Sequence, residues 1–277
     1  MAGWLKKTGA VVLAAALVTA CQTVRTTNPG AVGVEREQSM FASAGQVNRQ
    51  ADQAYRQTLK QAQGKSRLNQ NPEQVERVRV ISNRLIASTG AFRADAPGWK
   101  WEVNVLSSKD VNAWCMPGGK IAVYTGLLDK LHPTDDELAA VIGHEIAHAL
   151  REHGREKAGQ AMGIGLAAAI GGIVLGSRYG VDPSLGQTAF ETVGDLAFMR
   201  PNSRDMETEA DRIGVELAAR AGYDPHAAIS LWEKMRRVSE GEPPQWMSTH
   251  PSHETRIADL KVYADRVAPL YRPGHPR

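Results

Sequence analysis

The segment that most constrains this chain is His144-Glu145-Ile146-Ala147-His148. Histidines four positions apart lie one above the other on a helix and can offer ring nitrogens to one metal. The glutamate between them projects near the same face, where it can hydrogen-bond a water at that metal and take its proton. Just upstream, Pro133-Thr134-Asp135-Asp136-Glu137 reads as a helix start. Thr134 and Glu137 have the spacing of a capping box, and the acidic residues suit the positive end of a helix. The helix is expected to run through Leu138, Val141, Ile142 and the histidines to about His153, with Gly154 ending it. Gly143 and Ala147 are small enough to let a neighbour come close at the metal face. A five-residue pattern of this kind arises by chance in roughly one chain in a hundred of this size, so the rest of the chain has to decide.

A catalytic zinc takes a third protein ligand and keeps one position open for water. The best candidate is Glu207, on a helix capped by Ser203 and expected to run to about Ala221, with Gly222 as its stop. Asp211, four residues on, shares its face and can accept a hydrogen bond from a ligating imidazole, fixing its tautomer. Gly214, one turn further, lets this helix approach the first. Without the upstream motif, Glu207, Glu209 and Asp211 would read equally well as a solvated acidic face. Cys115 has no Cys or His at nucleophile or metal spacing and reads as a buried or half-buried thiol, not a protease nucleophile.

The remaining pattern predicts an α+β fold, mainly helical, with a small antiparallel sheet beside the active-site helix. Pro72 suits a first helical position, and Val75, Val78, Leu85 and Ile86 recur at helical spacing toward Gly90. From Trp99 to Val105 the period becomes two, which is a half-buried strand. Asn112 to Met116 and Lys120 to Tyr124 flank Pro117-Gly118-Gly119, a turn signal for an antiparallel pair. Asp224-Pro225 opens a helix through Leu231, Trp232 and Met235, and a final helix passes through Ile257 and Leu260. Met162 to Gly176 is apolar with five glycines in fifteen positions. It is open to three readings: a flexible lid, a membrane-dipping hairpin or a buried helix pair.

The expected organisation is a signal segment over 1–20, a tether with a poorly packed helix over 21–71, one catalytic domain over 72–264 and a tail over 265–277. Lys6 and Lys7 precede an apolar run from Ala10 to Val18 that is too short to span a bilayer. Val18-Thr19-Ala20-Cys21 resembles the lipobox of bacterial lipoproteins, which makes Cys21 the expected lipid attachment point. Gln22 after it resembles outer-membrane sorting. There are 33 Lys and Arg against 30 Asp and Glu, and 31 against 30 without Lys6 and Lys7. That near-neutral balance, with no basic block interleaved with aromatics, leaves no electrostatic footprint for nucleic acid.

Taken together, His144-Glu145-x-x-His148, Ser203-Arg204 and Glu207-x-x-Ala210-Asp211 resemble the M48 peptidases. That group includes membrane CAAX-processing proteases and many bacterial lipoprotein or periplasmic proteases. Asn112-Ala113, Pro117-Gly118-Gly119 and Ile121-x-Val123-x-x-Gly126-Leu127 look like the family's edge strand, and Thr249-His250-Pro251-Ser252 with Arg256 looks like its C-terminal signature. The resemblance implies one Zn2+ per chain on His144, His148 and Glu207, Glu145 as base and Asp211 behind the ligands. It also implies a place near the metal for His250, either as a transition-state donor or as a reversible extra ligand that restrains activity. Arg256 is expected to pair with a carboxylate there. Asn112, Ala113 and Trp114 are expected to bind an extended peptide as an added strand. The short, glycine-broken segment 162–176 departs from the spans of the CAAX-processing branch and favours the lipid-anchored branch. The expected activity is a zinc endopeptidase acting on unfolded or misassembled envelope proteins at the periplasmic face of the outer membrane. The alternative is an envelope chaperone or assembly factor whose protease activity is latent or self-inhibited.

Overall fold

A computed structural model of the chain describes residues 22–161, 201–238, 245–250 and 255–273. The signal segment, Cys21, the stretch Met162–Gly176 and the Pro251-Ser252 part of the C-terminal signature lie outside the described residues. Among the described residues no helix is long and apolar enough to cross a membrane.

The described residues begin with two short strands, β1 (Gln22–Val24) and β2 (Gln38–Met40), paired antiparallel. Helix α1 (Ala44–Gly64) follows, then α2 (Pro72–Ser88). The Asn71 side chain accepts from the backbone N–H groups of Glu73 and Gln74, and Pro72 opens α2, so the expected start is realised. The segment before Pro72 packs more closely than its Gln-rich composition implies. Tyr55 on α1 is fully buried; its hydroxyl donates to the Ile121 carbonyl at 3.2 Å and accepts from Asn104 at 2.8 Å. Val32 and Val34 join the main core. A handful of well-placed apolar residues is enough to dock a segment that is polar on average.

The second sheet comprises β3 (Glu102–Leu106), β4 (Ala113–Met116) and β5 (Lys120–Tyr124), in the order β3-β5-β4. The β4–β5 pair is antiparallel, turned by Gly118 and Gly119 at φ of 81° and 83°, a backbone region that favours glycine. β3 runs parallel to β5, so the sheet is mixed, not purely antiparallel. A periodicity of two marks a strand but carries no information about its direction. The central β5 is buried along nearly its whole length, and β4 is left at the edge.

After α3 (Thr125–Leu131) comes α4 (Asp135–Leu150), opened by the expected capping box. The Thr134 hydroxyl accepts from the Glu137 N–H, and the Glu137 carboxylate accepts from the Thr134 N–H. Helix α4 stops at Leu150, short of Gly154. Glu152 takes a left-handed φ of 51°, held by ion pairs to Arg93 and Arg155, and a further helix α5 is described over 153–161. Gly154 therefore lies inside a helix and ends none.

Helix α6 (Arg204–Arg220) is capped by Ser203 and followed by Gly222 at φ 78°. It packs directly on α4. A Cβ on Gly214 would lie 2.9 Å from the His144 nitrogen, and one on Gly143 would lie 3.0 Å from the Gly214 carbonyl oxygen. The two backbones therefore touch, which sets the histidines of α4 against the carboxylates of α6. Helices α7 (Ala227–Val238), α8 (Gln245–Thr249) and α9 (Thr255–Val267) close the far side. They cover a core that includes Leu138, Ile142, Ile146, Ile213, Leu217, Trp232 and Leu260.

Candidate metal centre

Helix α4 presents His144 and His148 one turn apart, α6 presents Glu207, and His250 enters directly after α8. One ligand atom from each of these four buried side chains lies within 4.8 Å of every other. The His144 and His148 Nε2 atoms are 3.0 Å apart, and His250 Nδ1 is 3.2 Å from His144 Nε2. Glu207 Oε1 is 3.3 Å from His148 Nε2 and 3.0 Å from His250 Nδ1. Ligands about 2.0–2.1 Å from a tetrahedral zinc are separated by about 3.4 Å, so these donors outline a space of the right size and chemistry for one such ion.

Burial and the neighbouring groups shift these side chains in different directions. Burial works to raise the Glu207 carboxyl, but His250, His144 and His148 hold it well below the ordinary carboxylate range. Burial also disfavours a charged His144, yet Asp211 and Glu207 outweigh it and raise its pKa to about 9. Burial pushes His148 well below the usual histidine range, leaving a neutral imidazole suited to ligation.

A second layer fixes these groups. His144 Nδ1 is 3.0 Å from Asp211 Oδ1, the carboxylate–imidazole arrangement that sets the tautomer of a ligating histidine. Arg256, buried on α9, donates to both oxygens of Asp211 at 2.7 and 2.6 Å and lies 2.9 Å from Glu207 Oε2. Its guanidinium sits over the Trp232 ring at 4.0 Å. One guanidinium thus pairs with both Glu207 and Asp211 of α6.

Glu145, with Oε1 3.4 Å from His250 Nε2, lines a cleft of about 270 Å³ beside the ligand cluster. Asn112, Ala113, Trp114, Cys115 and Met116 of the β4 segment line it, with Tyr124, Lys157, Thr249 and His250. Among the described residues β4 has a strand partner on one side only. Burial raises the Cys115 thiol pKa well above its ordinary value, which keeps it protonated.

Three neighbours carry no sequence signal that spacing reveals. Trp246, fully buried, donates its indole N–H to Glu145 at 2.7 Å and stacks on His250 at 4.6 Å between ring centroids. Asn202 donates to Glu207 Oε1 at 2.7 Å. His153 lies 2.7 Å from His148, ring nitrogen to ring nitrogen. Trp246 sits on α8, a helix of five residues too short to show a periodicity, Asn202 comes from the connection before α6, and His153 lies just past the break at Glu152.

The sequence profile described as peptidase family M48 matches residues 72–264. Among curated proteins, the mitochondrial metalloendopeptidase OMA1 of Bos taurus is 39% identical over 188 residues, covering 63% of this chain and 34% of that protein. The metalloprotease LoiP of Escherichia coli (strain K12) is 29% identical over 247 residues, covering 89% of this chain and 92% of that protein. A beta-barrel assembly-enhancing protease of Yersinia pestis is 25% identical over 219 residues, covering 76% and 43% respectively. The chain therefore spans about a third of the length of its bovine mitochondrial relative.

Proposed function

The chain belongs to peptidase family M48, and on that footing we propose that it is a zinc endopeptidase whose metal is held by His144, His148 and Glu207. The observation that carries this reading is the buried four-donor cluster next to a cleft that contains the Glu145 carboxylate. A zinc ion there supplies Lewis acidity toward the scissile carbonyl and lowers the pKa of the attacking water. Glu145 accepts that water's proton and returns it to the leaving amine. The indole of Trp246 holds Glu145 Oε1 in place for both transfers. A peptide laid along β4 would bind through its backbone, which makes the enzyme tolerant of sequence and suited to unfolded chains.

His250 supports a self-restrained resting state. Its Nδ1 sits among the ligand atoms while its Nε2 lies 3.4 Å from Glu145, so one ring occupies the approach that the attacking water and the base both need. Withdrawal of the His250 ring frees that approach and leaves the side chain able to donate to the developing oxyanion. The chaperone reading uses the same cleft with the protease latent.

The proposed substrates are unfolded or misassembled envelope proteins, and the proposed location is the periplasmic face of the outer membrane, with a lipid on Cys21. The assembly-enhancing protease among the relatives supports this setting, as does the Val18-Thr19-Ala20-Cys21 sequence. Cleavage of casein and of a misfolded outer-membrane protein by wild type, but not by Glu145→Gln, is the expected result. Failure of wild type and of His250→Ala on both substrates overturns the broad-substrate reading. A cellular phenotype that survives in Glu145→Gln would favour the chaperone.

A further inference from the structure

Glu209 and the polar cluster around it lie behind the metal ligands, and the hydrolytic chemistry does not use them. With Nε2 of His148 turned to the ligand cluster, its Nδ1 carries the proton and donates to His153 Nδ1 at 2.7 Å. Nε2 of His153 must then carry its own proton, which it donates to Glu209 Oε2 at 3.0 Å. His144 has a carboxylate directly behind it, whereas behind His148 an imidazole stands between the ligand and the carboxylate. The orientation of His148 therefore depends on how firmly Glu209 is held.

Two arginines hold it. Arg151 donates to Glu209 Oε2 at 2.9 Å, and Arg36 donates to Oε1 at 2.6 Å. Arg36 also forms two bonds to Glu156 at 2.7 and 2.9 Å, and Gln38 bonds both Glu156 and the Arg151 carbonyl. The guanidinium of Arg151 in turn donates to the Arg36 carbonyl at 2.8 Å. The strand segment around β2 is thus latched onto the end of α4 and the start of α5 by buried and part-buried bonds in both directions, most of them charge-assisted. Arg36 lies outside the residues matched by the family profile.

We propose that Arg36, Glu209 and His153 form a positioning relay for the His148 ring, which makes retention of the metal depend on the segment before residue 72. The inference rests on the metal reading above. A ligating imidazole that loses its outer partner can change tautomer and swing, at a typical cost of 10–100-fold in metal affinity. Glutamine can both accept from His148 and donate to Glu209; phenylalanine can do neither.

The test is zinc affinity by chelator competition on the full chain in detergent, with thermal unfolding of the metal-free forms as a check on folding. His153→Phe is expected to weaken zinc binding about 10–100-fold and His153→Gln to stay within about threefold of wild type. Arg36→Ala is expected to weaken it in the same direction, and His153→Phe combined with Arg36→Ala to be no weaker than His153→Phe alone. Arg212→Ala, which breaks the Arg212–Asp259 pair on the outer side of α6, is expected to leave affinity unchanged. If His153→Phe does not fold, Arg36→Ala and the split between His153→Gln and His153→Ala carry the test. Equal zinc affinity in wild type, His153→Phe and Arg36→Ala, or fully additive losses, overturns the relay. A wild-type chain that binds no zinc instead overturns the metal reading.

Discussion

Gly214→Ala probes the contact on which the metal centre depends. The new methyl would lie 2.9 Å from the His144 nitrogen, 3.1 Å from its Cα and 3.2 Å from the Gly143 carbonyl carbon. Ordinary contacts are about 3.5 Å or more, so α4 and α6 must part by about half an ångström. The obstructing atoms are backbone, and no side-chain rotation relieves them. Overpacking of this kind costs about 1–3 kcal/mol, and the better helix propensity of alanine returns about 1 kcal/mol. A net loss of up to about 2 kcal/mol lowers the unfolding temperature of the metal-free chain by up to about 8 °C. The effect on the metal should be larger. Ligand distances must hold to about 0.2 Å, and the same displacement carries Glu207 away from His144 and His148. The expected outcome is a modest drop in melting temperature by calorimetry with a much larger loss of zinc in chelator competition. A variant with wild-type melting and wild-type zinc affinity would refute the argument that the glycine contact sets the ligand spacing.

Other consequences are also measurable. Arg256→Ala leaves Asp211 and Glu207 buried without their cation and is expected to cost about 3–5 kcal/mol by denaturant unfolding; an unchanged midpoint would contradict the pairing. Tyr55→Phe removes the hydroxyl that joins α1 to Asn104 and the Ile121 carbonyl, for an expected loss of about 1–3 kcal/mol. A wild-type midpoint in that variant would mean that α1 does not dock on the sheet. Burial opposes ionisation of Glu209, but His153, Arg36 and Arg151 hold its carboxyl down to about 2, below its ordinary 4.5. Its contribution is therefore complete above pH 4.5 and disappears as pH falls toward 2. Glu209→Gln is expected to flatten the loss of stability across that window, and an unaltered acid limb would count against the ion-pair cluster.

Where residue type and spacing act locally, the sequence shows the fold well. The Thr134 capping box, the Pro72 and Ser203 starts and the Gly118-Gly119 turn each determine their own neighbourhood, and the structure has them as expected. The histidine pair and the need for another donor likewise lead to Glu207, because a metal imposes chemistry that few residues satisfy. Partners brought in over long distances are not legible in the same way. The parallel course of β3 depends on the whole crossover through β4. The docking of α1 depends on Tyr55 finding Asn104 and Ile121. The break at Glu152 turns a single expected helix into α4 and α5, and this places His153 behind His148, out of line with the ligand face. Trp246 reaches Glu145 from the five-residue helix α8, too short to leave a periodic pattern in the sequence.

The most direct test of the account is metal content by mass spectrometry on wild type, Glu145→Gln and Glu207→Ala purified in parallel. The account predicts about one zinc per chain in wild type and in Glu145→Gln and its loss in Glu207→Ala. A wild-type chain without zinc, or a Glu207→Ala chain that keeps it as tightly as wild type, would contradict the assignment of the metal centre.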